Sequence, residues 1–593
     1  MIMRQTITRF KSALLLTAAF CFMQINSKAV TYTAVASGNF SSSATWTGGI
    51  VPPAVISADD IIIPTGIKVT LDQNQTLSSS SSLTVNGTLQ ANTGYYLSMT
   101  SGTIAGIGAI ALDSFYANFN SGFAFTGTFT ANTFASANAK INSVANVTVN
   151  NTLHLMAGTL EMASGSLTMG GNSTIVVSGG TMVIAGGTVN LTNNYDVMYT
   201  SQAATAGIEL TGSGLENVTI DVPGTASVDL SGDLNVKGTL MLKSGTLNLN
   251  NNNLTFTSTG DLSGSGSIAS SSNSDITINA SAGLTGSLNF TTGGNTVDDF
   301  TIDLGTNTAS VTVGGDMMIS GQLDLKSGRL NIGSNKLDIM TNATVTGGSS
   351  NSFVVTGMGG TLSIDVAANG SQTFHIGTTN DYAPCVITAA NGSASSKFSI
   401  GVNGSVMQNG TTGASLANAN QPIVNATWYI ASSTSANVNV DIETMWSTNM
   451  EVNSFNRAKA YLSHYTNAAW DVDASASATM TGSGMYSIKR TGITSFSPFA
   501  VFDENTKVSV NDVAANNNIK IYPNPAVNTL TVNLNDDVAN ANIDIYNTAG
   551  QTVYTAAMQG NTQNIDITNL APGMYYLSVS NDNSRGLQKF VKQ

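Results

Sequence analysis

Hydrophobic and polar positions alternate along most of this chain, and one alternating stretch occurs three times. The central copy is Leu234–Phe256 (LNVKGTLMLKSGTLNLNNNNLTF), the earlier copy is Val147–Met169 and the later copy is Met317–Ile339. Around the leucines the local period is two, as in Leu240–Leu242 (LML), which is typical of a half-buried strand and excludes a coiled coil. Within each copy leucines recur every seven residues: Leu153, Leu160 and Leu167; Leu240, Leu247 and Leu254; Leu323, Leu330 and Leu337.

Each seven-residue unit predicts one short strand followed by a corner, because Ser-Gly, Ala-Gly and Asn-rich pairs form turns. Three units make a coil of about 21 residues, and the roughly 85-residue repeat is then about four coils. Stacking brings like residues above like, so the leucines form an interior ladder and Asn250–Asn253 form a ladder at a corner. The sequence predicts an all-β protein whose body is a parallel β-solenoid, similar to a right-handed β-helix.

The rest of the chain is organised around this body. Residues 30–75 are predicted to form an N-terminal cap and the first coils, and residues 76–365 the β-solenoid repeats. The regular leucine pattern then stops, and short strands with large aromatic residues predict an antiparallel β-sandwich over residues 366–502. A polar linker, residues 503–518, precedes a small C-terminal Ig-like β-sandwich, residues 519–593.

Charge and hydropathy indicate the compartment. Residues 1–29 carry Arg4, Arg9 and Lys11, then the apolar run Ala13–Met23, then small residues suited to cleavage after Ala29, which is the pattern of a signal peptide. Only 9% of the 593 residues are charged, and the net charge is −13. No apolar run of about 18 residues follows the leader, so no transmembrane segment is predicted. The acidic balance argues against nucleic acid as a partner.

Residues 519–593 contain the most specific motifs of the chain. These are Tyr522-Pro523-Asn524-Pro525, the turn residues Gly550 and Gly573 with Tyr575, and the terminal residues Lys589, Val591 and Lys592. The segment resembles the type A C-terminal sorting domain of the type IX secretion system of Bacteroidota. The resemblance implies transport across the outer membrane, with the secretion machinery and its sorting peptidase as partners. It implies an extracellular or outer-membrane-surface location, usually with removal of the domain. Lys589 and Lys592 are expected to be exposed to a receptor.

Two other segments also resemble parts of Bacteroidota surface proteins. Residues 30–75 resemble the opening segment of many surface β-helix proteins. Residues 366–502 resemble a module found between such a helix and the sorting tail, with landmarks at 374–377, 382–384, 428–430 and 493–501. No activity is implied by either resemblance.

Two groups of side chains could bind a ligand. Seven aromatic residues could stack on sugar rings, although their alternation favours interior strand positions. Lys243 and Lys326 occupy equivalent places in two repeats and could line a groove for acidic glycans, although solvated corner positions are favoured. The aromatic residues are Phe115, Tyr116, Phe119, Phe123, Phe125, Phe129 and Phe134.

The residues needed for catalysis are not grouped in the sequence. The acids Asp298, Asp299, Asp324, Asp338 and Asp365 are scattered, and neighbours such as Asp298 and Asp299 are expected to point apart. The three histidines, at 154, 375 and 464, lack zinc spacing, Cys385 is expected to be a buried inert thiol, and Asp471–Asp473 is too short for a calcium loop. The glycines at 106 and 108 lack the βαβ setting of a dinucleotide site. No catalytic, cofactor-binding or metal-binding residue is predicted.

Two functions from different classes fit this pattern. The first is a non-enzymatic β-solenoid at the cell surface or in the medium, with an adhesive or structural role. The alternative is a carbohydrate-binding or carbohydrate-cleaving extracellular β-helix, a polysaccharide lyase or hydrolase in its enzymatic form. An extracellular glycan or a host or cell-surface ligand is the partner class. A groove with convergent carboxylates would indicate the enzyme, and bland Thr, Ser and Asn faces would indicate the scaffold.

Overall fold

The computed structural model describes residues 29–142, 146–434, 436–482, 484–506, 519–534, 541–548, 550–580 and 585–593. Regular structure in these ranges is almost all β-strand, and about 3% is helical, which confirms the all-β class. The helical residues form 3-10 turns at Ser43–Thr45, Thr47–Gly49, Ile208–Leu210, Thr448–Met450 and Arg457–Lys459. Among the described residues, none of the helices has the length and hydropathy of a membrane-spanning segment.

The chain divides into two compact units. The first unit comprises the chain up to Gly404 with Ala426–Met450 and Ala478–Ser497. The second unit comprises Ser405–Asn425, Glu451–Ser477 and Pro498–Gln593. The segment predicted as a β-sandwich, residues 366–502, therefore contributes strands to both units.

The body is a parallel β-solenoid of about 14 turns, as the repeats predict. Consecutive strands of one coil join different parallel ladders, so a coil has three sides. Its strands are β1 Thr31–Thr33, β2 Gly38–Asn39, β3 Val55–Ser57, β4 Asp60–Ile63, β5 Lys68–Leu71, β6 Gln75–Ser78, β7 Ser82–Val85, β8 Thr88–Ala91, β9 Tyr96–Met99, β10 Thr103–Gly106, β11 Ala109–Phe125, β12 Thr128–Ile141, β13 Asn146–Leu155, β14 Gly158–Met162, β15 Ser166–Met169, β16 Ser173–Val177, β17 Gly180–Ile184, β18 Thr188–Asn190, β19 Tyr195–Thr200, β20 Ala204–Thr205, β21 Leu215–Asp221, β22 Ser227–Asp229, β23 Leu234–Val236, β24 Thr239–Ser244, β25 Thr246–Asn248, β26 Leu254–Phe256, β27 Asp261–Gly264, β28 Ser267–Ala269, β29 Ile276–Ile278, β30 Gly283–Leu288, β31 Thr296–Val297, β32 Phe300–Asp303, β33 Ser310–Val313, β34 Met317–Ile319, β35 Gln322–Gly333, β36 Lys336–Ile339, β37 Thr344–Gly347, β38 Ser352–Thr356 and β39 Thr361–Val366.

The strands that follow pair mainly in the antiparallel sense, also as predicted. They are β40 Ser371–Phe374, β41 Ile376–Gly377, β42 Cys385–Ala389, β43 Ser396–Asn403, β44 Met407–Asn409, β45 Thr412–Ser415, β46 Ile423–Ser432, β47 Val440–Ser447, β48 Glu451–Val452, β49 Ala460–Thr466, β50 Ala469–Trp470, β51 Thr479–Gly482, β52 Met485–Ile493 and β53 Pro498–Asp503. The tail contains β54 Ile519–Tyr522, β55 Thr529–Leu534, β56 Asn542–Asn547, β57 Thr552–Ala557, β58 Thr562–Asp566, β59 Gly573–Ser580 and β60 Arg585–Lys592.

The seven-residue leucine spacing corresponds to the three sides of one coil. Leu240, Leu247 and Leu254 lie on β24, β25 and β26, and each is fully buried. On the next coil they pair with Leu262, Ile268 and Ile276, so a coil takes 21 or 22 residues here. Burial of each such side chain contributes roughly 1.5–3 kcal/mol to stability. The same burial recurs from coil to coil along the body.

Asparagines shape the corner between β25 and β26. Asn250 and Asn251 adopt positive φ angles of 51° and 63°, which asparagine tolerates better than most residues. The Asn252 side chain donates to the carbonyls of Leu230, one coil below, and Leu249 at 3.1 and 3.0 Å. These asparagines therefore form a corner, as expected, but Asn250 and Asn252 bind a backbone carbonyl of the coil below and do not stack on asparagines there.

A second, shorter repeat consists of Val218–Val222 (VTIDV) and Phe300–Leu304 (FTIDL). It lies on the coil below a corner with the sequence LKSG, which occurs at 242–245 and again at 325–328. Ser244 donates to Asp221 Oδ1 at 3.1 Å and to the carbonyl of Val222 at 2.6 Å. In the later repeat Ser327 makes the same two contacts, with Asp303 and the carbonyl of Leu304. At both corners the pairing of the strands shifts by one residue. The two sequence repeats therefore form the same corner structure.

Replacing Gly245 in this corner with alanine is expected to destabilise the solenoid by roughly 1–3 kcal/mol. Gly245 has φ of +79°, and a Cβ there would lie 2.3 Å from the Val222 side chain. The matched control is Gly232→Ala, where a Cβ meets no atom within 4 Å. Chemical denaturation of both variants measures the difference. Equal denaturation midpoints would contradict the assignment of Gly245 to a constrained corner.

The last coil is continued by an antiparallel strand. Strand β39 pairs in parallel with β36 on one side and antiparallel with β43 on the other. Strand β43 therefore covers one edge of the solenoid that stacking would otherwise leave open, which is how an end of such a body avoids uncontrolled pairing.

Candidate functional site

The tail, where the motif residues lie, is a two-sheet sandwich. Strands β54, β55 and β58 form one sheet, called here the N-sheet, and β57, β56, β59 and β60 form the other, the C-sheet. One hydrophobic core, which includes Leu530, Ile565, Ile545, Leu577 and Phe590, lies between the sheets. Because side chains alternate along each strand, the motif residues are divided between this core and the two outer surfaces.

Asn524 connects the beginning of the tail to its last strand. Its side-chain amide donates to the carbonyl of Lys589 at 3.1 Å, and its Oδ1 accepts the N–H of Val591 at 2.9 Å. Ala526 continues the contact by donating to the carbonyl of Val591 and accepting from Gln593, both at 2.8 Å. The Pro-Asn-Pro segment therefore holds the edge of β60 opposite β59. Pro523 and Pro525 are exposed beside it, and the Tyr522 side chain is 51% exposed.

Replacing Asn524 with alanine is expected to lower the stability of the tail by about 1–3 kcal/mol, because two backbone groups of β60 lose their partners. The matched control is Asn528→Ala, whose exposed side chain lies in the same segment, and which should change stability by less than about 0.5 kcal/mol. Hydrogen exchange at the Val591 amide gives the direct comparison. Unchanged protection of that amide in Asn524→Ala would contradict the role given to Asn524.

The terminal motif alternates between outside and inside. Lys589 is exposed and Val591 is half-buried on the outer face, whereas Phe590 is buried in the core. Lys592 is in phase with Phe590, lies opposite Gly573 and is only 7% exposed. The expectation that both terminal lysines are exposed is therefore wrong for Lys592.

The other motif residues have structural positions. The Tyr575 hydroxyl donates to the carbonyl of Ala571 at 2.9 Å, and its ring stacks on Phe590 with centroids 5.6 Å apart. Gly550 has φ of +78° in the turn after β56, where its N–H donates to the carbonyl of Asn547. Ala29 is exposed. Residues 1–28 of the predicted signal peptide lie outside the described residues, so that cleavage site stays a prediction.

The two repeat lysines do not form a groove for acidic ligands. Lys243 Nζ lies 3.8 Å from Asp221 Oδ2, and Lys326 Nζ lies 3.5 Å from Asp324 Oδ2. Both lysine side chains are about half exposed, at 45% and 53%. Each cation thus already faces a carboxylate at a solvated corner, as the alternative interpretation predicts, and such pairs contribute about 0–1 kcal/mol.

Six of the seven aromatic residues of the early coils are interior, so they are not available for sugar stacking. The seventh, Tyr116, is half-buried and contacts Tyr96 edge to face, with ring centroids 5.1 Å apart. Phe115, Phe123, Phe129 and Phe134 are fully buried. Phe115 contacts Phe129 and Phe134 edge to face, with ring centroids 5.0 and 5.2 Å apart. These rings fill the solenoid where long strands β11 and β12 pass from one side to the next.

The adjacent acids Asp298 and Asp299 do not diverge as expected. They lie at a bend before β32 rather than within a strand, and a Cβ on Gly321 would meet both carboxylates, at 2.7 and 2.4 Å. Asp299 N–H in turn donates to Asp275 Oδ1 on the coil below at 3.2 Å. Burial raises the pKa of Asp275, and the neighbouring carboxylates add to the increase. Among the described residues, no His, Cys, Asp and Glu group of three or more is arranged to hold a metal ion.

The remaining sequence candidates have local structural roles. Cys385 is fully buried on β42, and burial raises the pKa of its thiol, so the thiol stays protonated. Asp471 accepts the backbone N–H of His464 at 2.7 Å. Gly108 lies at a corner where a Cβ would meet the carbonyl of Gly87 at 2.0 Å. Close backbone approach, rather than nucleotide binding, explains the glycines at this place.

Three of the four landmarks of the 366–502 segment, at 374–377, 382–384 and 428–430, come together in the first unit. His375 Nδ1 lies 2.6 Å from the Tyr382 hydroxyl, and Trp428 donates to the carbonyl of Ala383 at 2.9 Å. Tyr382 also contacts Phe353, over which the Arg329 guanidinium lies at 5.3 Å. Burial lowers the pKa of His375 and raises that of Tyr382, so both side chains are neutral near pH 7. The neutral His375 and Tyr382 side chains, hydrogen-bonded and packed in this way, stabilise the local fold.

The free energy of unfolding of the first unit is expected to fall as the pH drops below about 6.5. Burial lowers the pKa of His154 and His375 in the fold, so both charge more readily in the unfolded chain. Their stabilising contribution is therefore complete above the ordinary histidine pKa of 6.5 and is lost as the pH falls. Denaturation between pH 7.5 and 5 should show this slope in the natural protein and a smaller one in His154→Gln/His375→Gln. Equal slopes would contradict the assignment.

Two tail residues on an outer surface, exposed Met574 and half-buried Tyr576, are not part of the sequence motifs. Met574 and Tyr576 alternate with the core residues Tyr575 and Leu577, so they lie on the outer face of the C-sheet. The period-two pattern of β59 is the signal that locates them. Their apolar character on a solvent-facing surface becomes evident only from the structure.

Comparison with known proteins bears on the tail. Residues 520–593 match the family model described as the secretion system C-terminal sorting domain. Comparisons with curated proteins and with solved structures return no match. The match confirms the resemblance inferred from the motifs, and it implies secretion through the type IX secretion system to the cell surface or the exterior.

Proposed function

We propose that this protein is a non-enzymatic β-solenoid with an adhesive or structural role outside the cell. The sorting domain implies export and an interaction with the type IX secretion machinery. After export, the solenoid body is the part of the protein that acts outside the cell. One observation carries the proposal: small polar residues occupy the same outward position in successive coils.

The clearest column runs along the ladder that contains β26. Asn235, Thr255, Thr277 and Thr301 are stacked in register, between the buried residues of β23, β26, β29 and β32. Asp324 and Thr346 continue the column and are joined by a 3.1 Å hydrogen bond. Groups repeated about every 4.8 Å can make many equivalent weak hydrogen bonds with an extended or repeating surface ligand.

Two acids of the body, Asp233 and Asp261, have structural roles that fit a protein without catalysis. Glycan-cleaving enzymes need two carboxyl groups that converge on one bond, about 5–9.5 Å apart across an open cleft. Here Asp233 accepts the N–H of Asn253 at 2.8 Å, and Asp261 accepts the N–H of Thr285 at 2.8 Å. Each of these two carboxylates accepts a hydrogen bond from a backbone N–H of the next coil, so each has a structural role.

A glycan array combined with a sugar-release assay on the purified protein tests the proposal. Binding to an extracellular glycan or to a cell surface without release of reducing or unsaturated sugars is the expected result. The triple variant Thr255→Lys/Thr277→Lys/Thr301→Lys should lose binding. The control variant Ser227→Lys/Thr246→Lys/Ser267→Lys alters a column on another side of the same solenoid and should keep binding. Sugar release by the natural protein would replace the proposal with the enzymatic alternative.

A further inference from the structure

The chain contains five Asn-Gly pairs, and each pair carries two groups that can react with each other. The main-chain nitrogen of the glycine can bond to the side-chain amide carbon of the asparagine before it, since glycine has no Cβ to obstruct the approach. In a folded protein this reaction needs a glycine N–H that is not hydrogen-bonded and an asparagine side chain with room to turn. The pairs are Asn86-Gly87, Asn369-Gly370, Asn391-Gly392, Asn403-Gly404 and Asn409-Gly410.

Two of these pairs stand in the same five-residue sequence, AANGS, at 367–371 and at 389–393. Because the five residues are identical, the two asparagines have the same local sequence, and both are exposed. In the first copy the glycine is not free to react, because the N–H of Gly370 donates to the carbonyl of Ala367 at 2.9 Å. That hydrogen bond must break before the nitrogen can approach the asparagine side chain.

In the second copy the turn is shifted by one residue, and the shift frees the glycine. Here Ser393, the residue after the glycine, donates to the carbonyl of Ala390 at 3.0 Å. Gly392 lies at the tip of the turn with φ of +79°, and a Cβ there would meet no atom within 4 Å. Among the described residues, nothing hydrogen-bonds to the Gly392 N–H or to the Asn391 side chain. This pair therefore combines an exposed amide, a free main-chain nitrogen and open space.

The fold restrains the other three pairs. Asn403 ends strand β43 and pairs with Thr427 of β46, so its backbone is kept extended. The two remaining glycines use their N–H groups in hydrogen bonds, Gly87 with the carbonyl of Ile63 at 3.0 Å and Gly410 with that of Met407 at 3.2 Å. Asn391 thus belongs to the pair in which the fold leaves both reacting groups free.

We propose that Asn391 deamidates spontaneously in the folded protein and is a site of chemical ageing. The Gly392 nitrogen loses its proton and bonds to Cγ of Asn391, the bond from Cγ to Nδ2 breaks, and ammonia leaves. Water then opens the resulting succinimide. Addition of water at Cγ gives aspartate, and addition at the main-chain carbonyl carbon gives isoaspartate, in which the chain runs through Cβ. In a protein that stays outside the cell, the converted fraction grows with the age of the molecule.

Peptide mapping of the purified full-length protein by mass spectrometry tests the assignment. After incubation at mildly alkaline pH, conversion at Asn391 should be at least tenfold faster than at Asn369, which has the same neighbours in the sequence. The matched control is the same protein in urea, where the two asparagines should convert at similar rates.

Two results would overturn the proposal. The first is a folded protein in which Asn391 converts no faster than Asn369, because the free glycine nitrogen would then confer no reactivity. The second is a tenfold difference that persists in urea, since the cause would then lie outside the folded turn. Faster conversion of Asn391 in the folded protein, lost on unfolding, is the result that the geometry of the turn predicts.

Discussion

Replacing Leu254 with aspartate is expected to lower the free energy of unfolding of the solenoid by about 3–5 kcal/mol. Leu254 is fully buried and stacks between Leu234 on one coil and Ile276 on the next. A carboxyl group at this position would have apolar neighbours above and below. It must either lose its hydration or open the ladder, and the lost leucine leaves unfilled volume as well.

The neighbouring residue provides the control. Thr255 lies in the same strand, in register with Asn235 and Thr277, and points outward. Thr255→Asp should therefore change the free energy of unfolding by less than about 1 kcal/mol. Urea denaturation followed by circular dichroism compares the two variants. Similar midpoints for Leu254→Asp and Thr255→Asp would contradict the inside–outside assignment on which the solenoid rests.

Removing residues 519–593 is expected to abolish export, the largest functional effect predicted for any change in this chain. The removed segment contains all the residues that match the sorting-domain model. Without them the secretion machinery has no folded surface to bind, and the protein should accumulate in the periplasm. Cell fractionation followed by immunodetection in the native host measures the distribution. Normal amounts of the shortened protein in the medium or at the surface would contradict the prediction.

The solenoid follows from local patterns because stacking repeats one small unit. Leu240, Leu247 and Leu254 could be assigned to three sides of a coil because a period of two around each leucine coincides with a period of seven between them. The corner below LKSG could not be derived in the same way. Its bond from Ser244 to Asp221 joins residues 23 apart, and the sequence alone does not indicate which groups meet across coils.

The same limitation explains the incorrect expectations. Strand alternation predicts that Asp298 and Asp299 point apart, but they lie at a bend, where adjacent side chains can point the same way. A charged terminal residue such as Lys592 is expected at the surface, but it is buried. Its burial follows from its being in phase with the core residue Phe590, which depends on the register of β59 with β60.

The tail motifs could be recognised, but their contacts could not. The order of Tyr522–Pro525 and Lys589–Lys592 identifies the domain, whereas the bonds from Asn524 to β60 join residues 65 and 67 positions apart. The juxtaposition of Tyr546 with Tyr576, and of Met574 with Val591, on the outer face of the C-sheet likewise depends on the pairing of β56 with β59 and of β59 with β60. These contacts join residues that are far apart in the sequence, so they can be identified only in the folded sandwich.

Transfer of the tail to another protein tests the central claim most directly. An unrelated soluble reporter would carry residues 1–29 at its N-terminus and residues 506–593 at its C-terminus, and its distribution would be measured in the native host. The reporter is expected at the cell surface or in the medium, and the same reporter with only residues 1–29 is expected in the periplasm. A tailed reporter that remains in the periplasm, while the natural protein is exported from the same cells, would contradict the claim that this tail is the address.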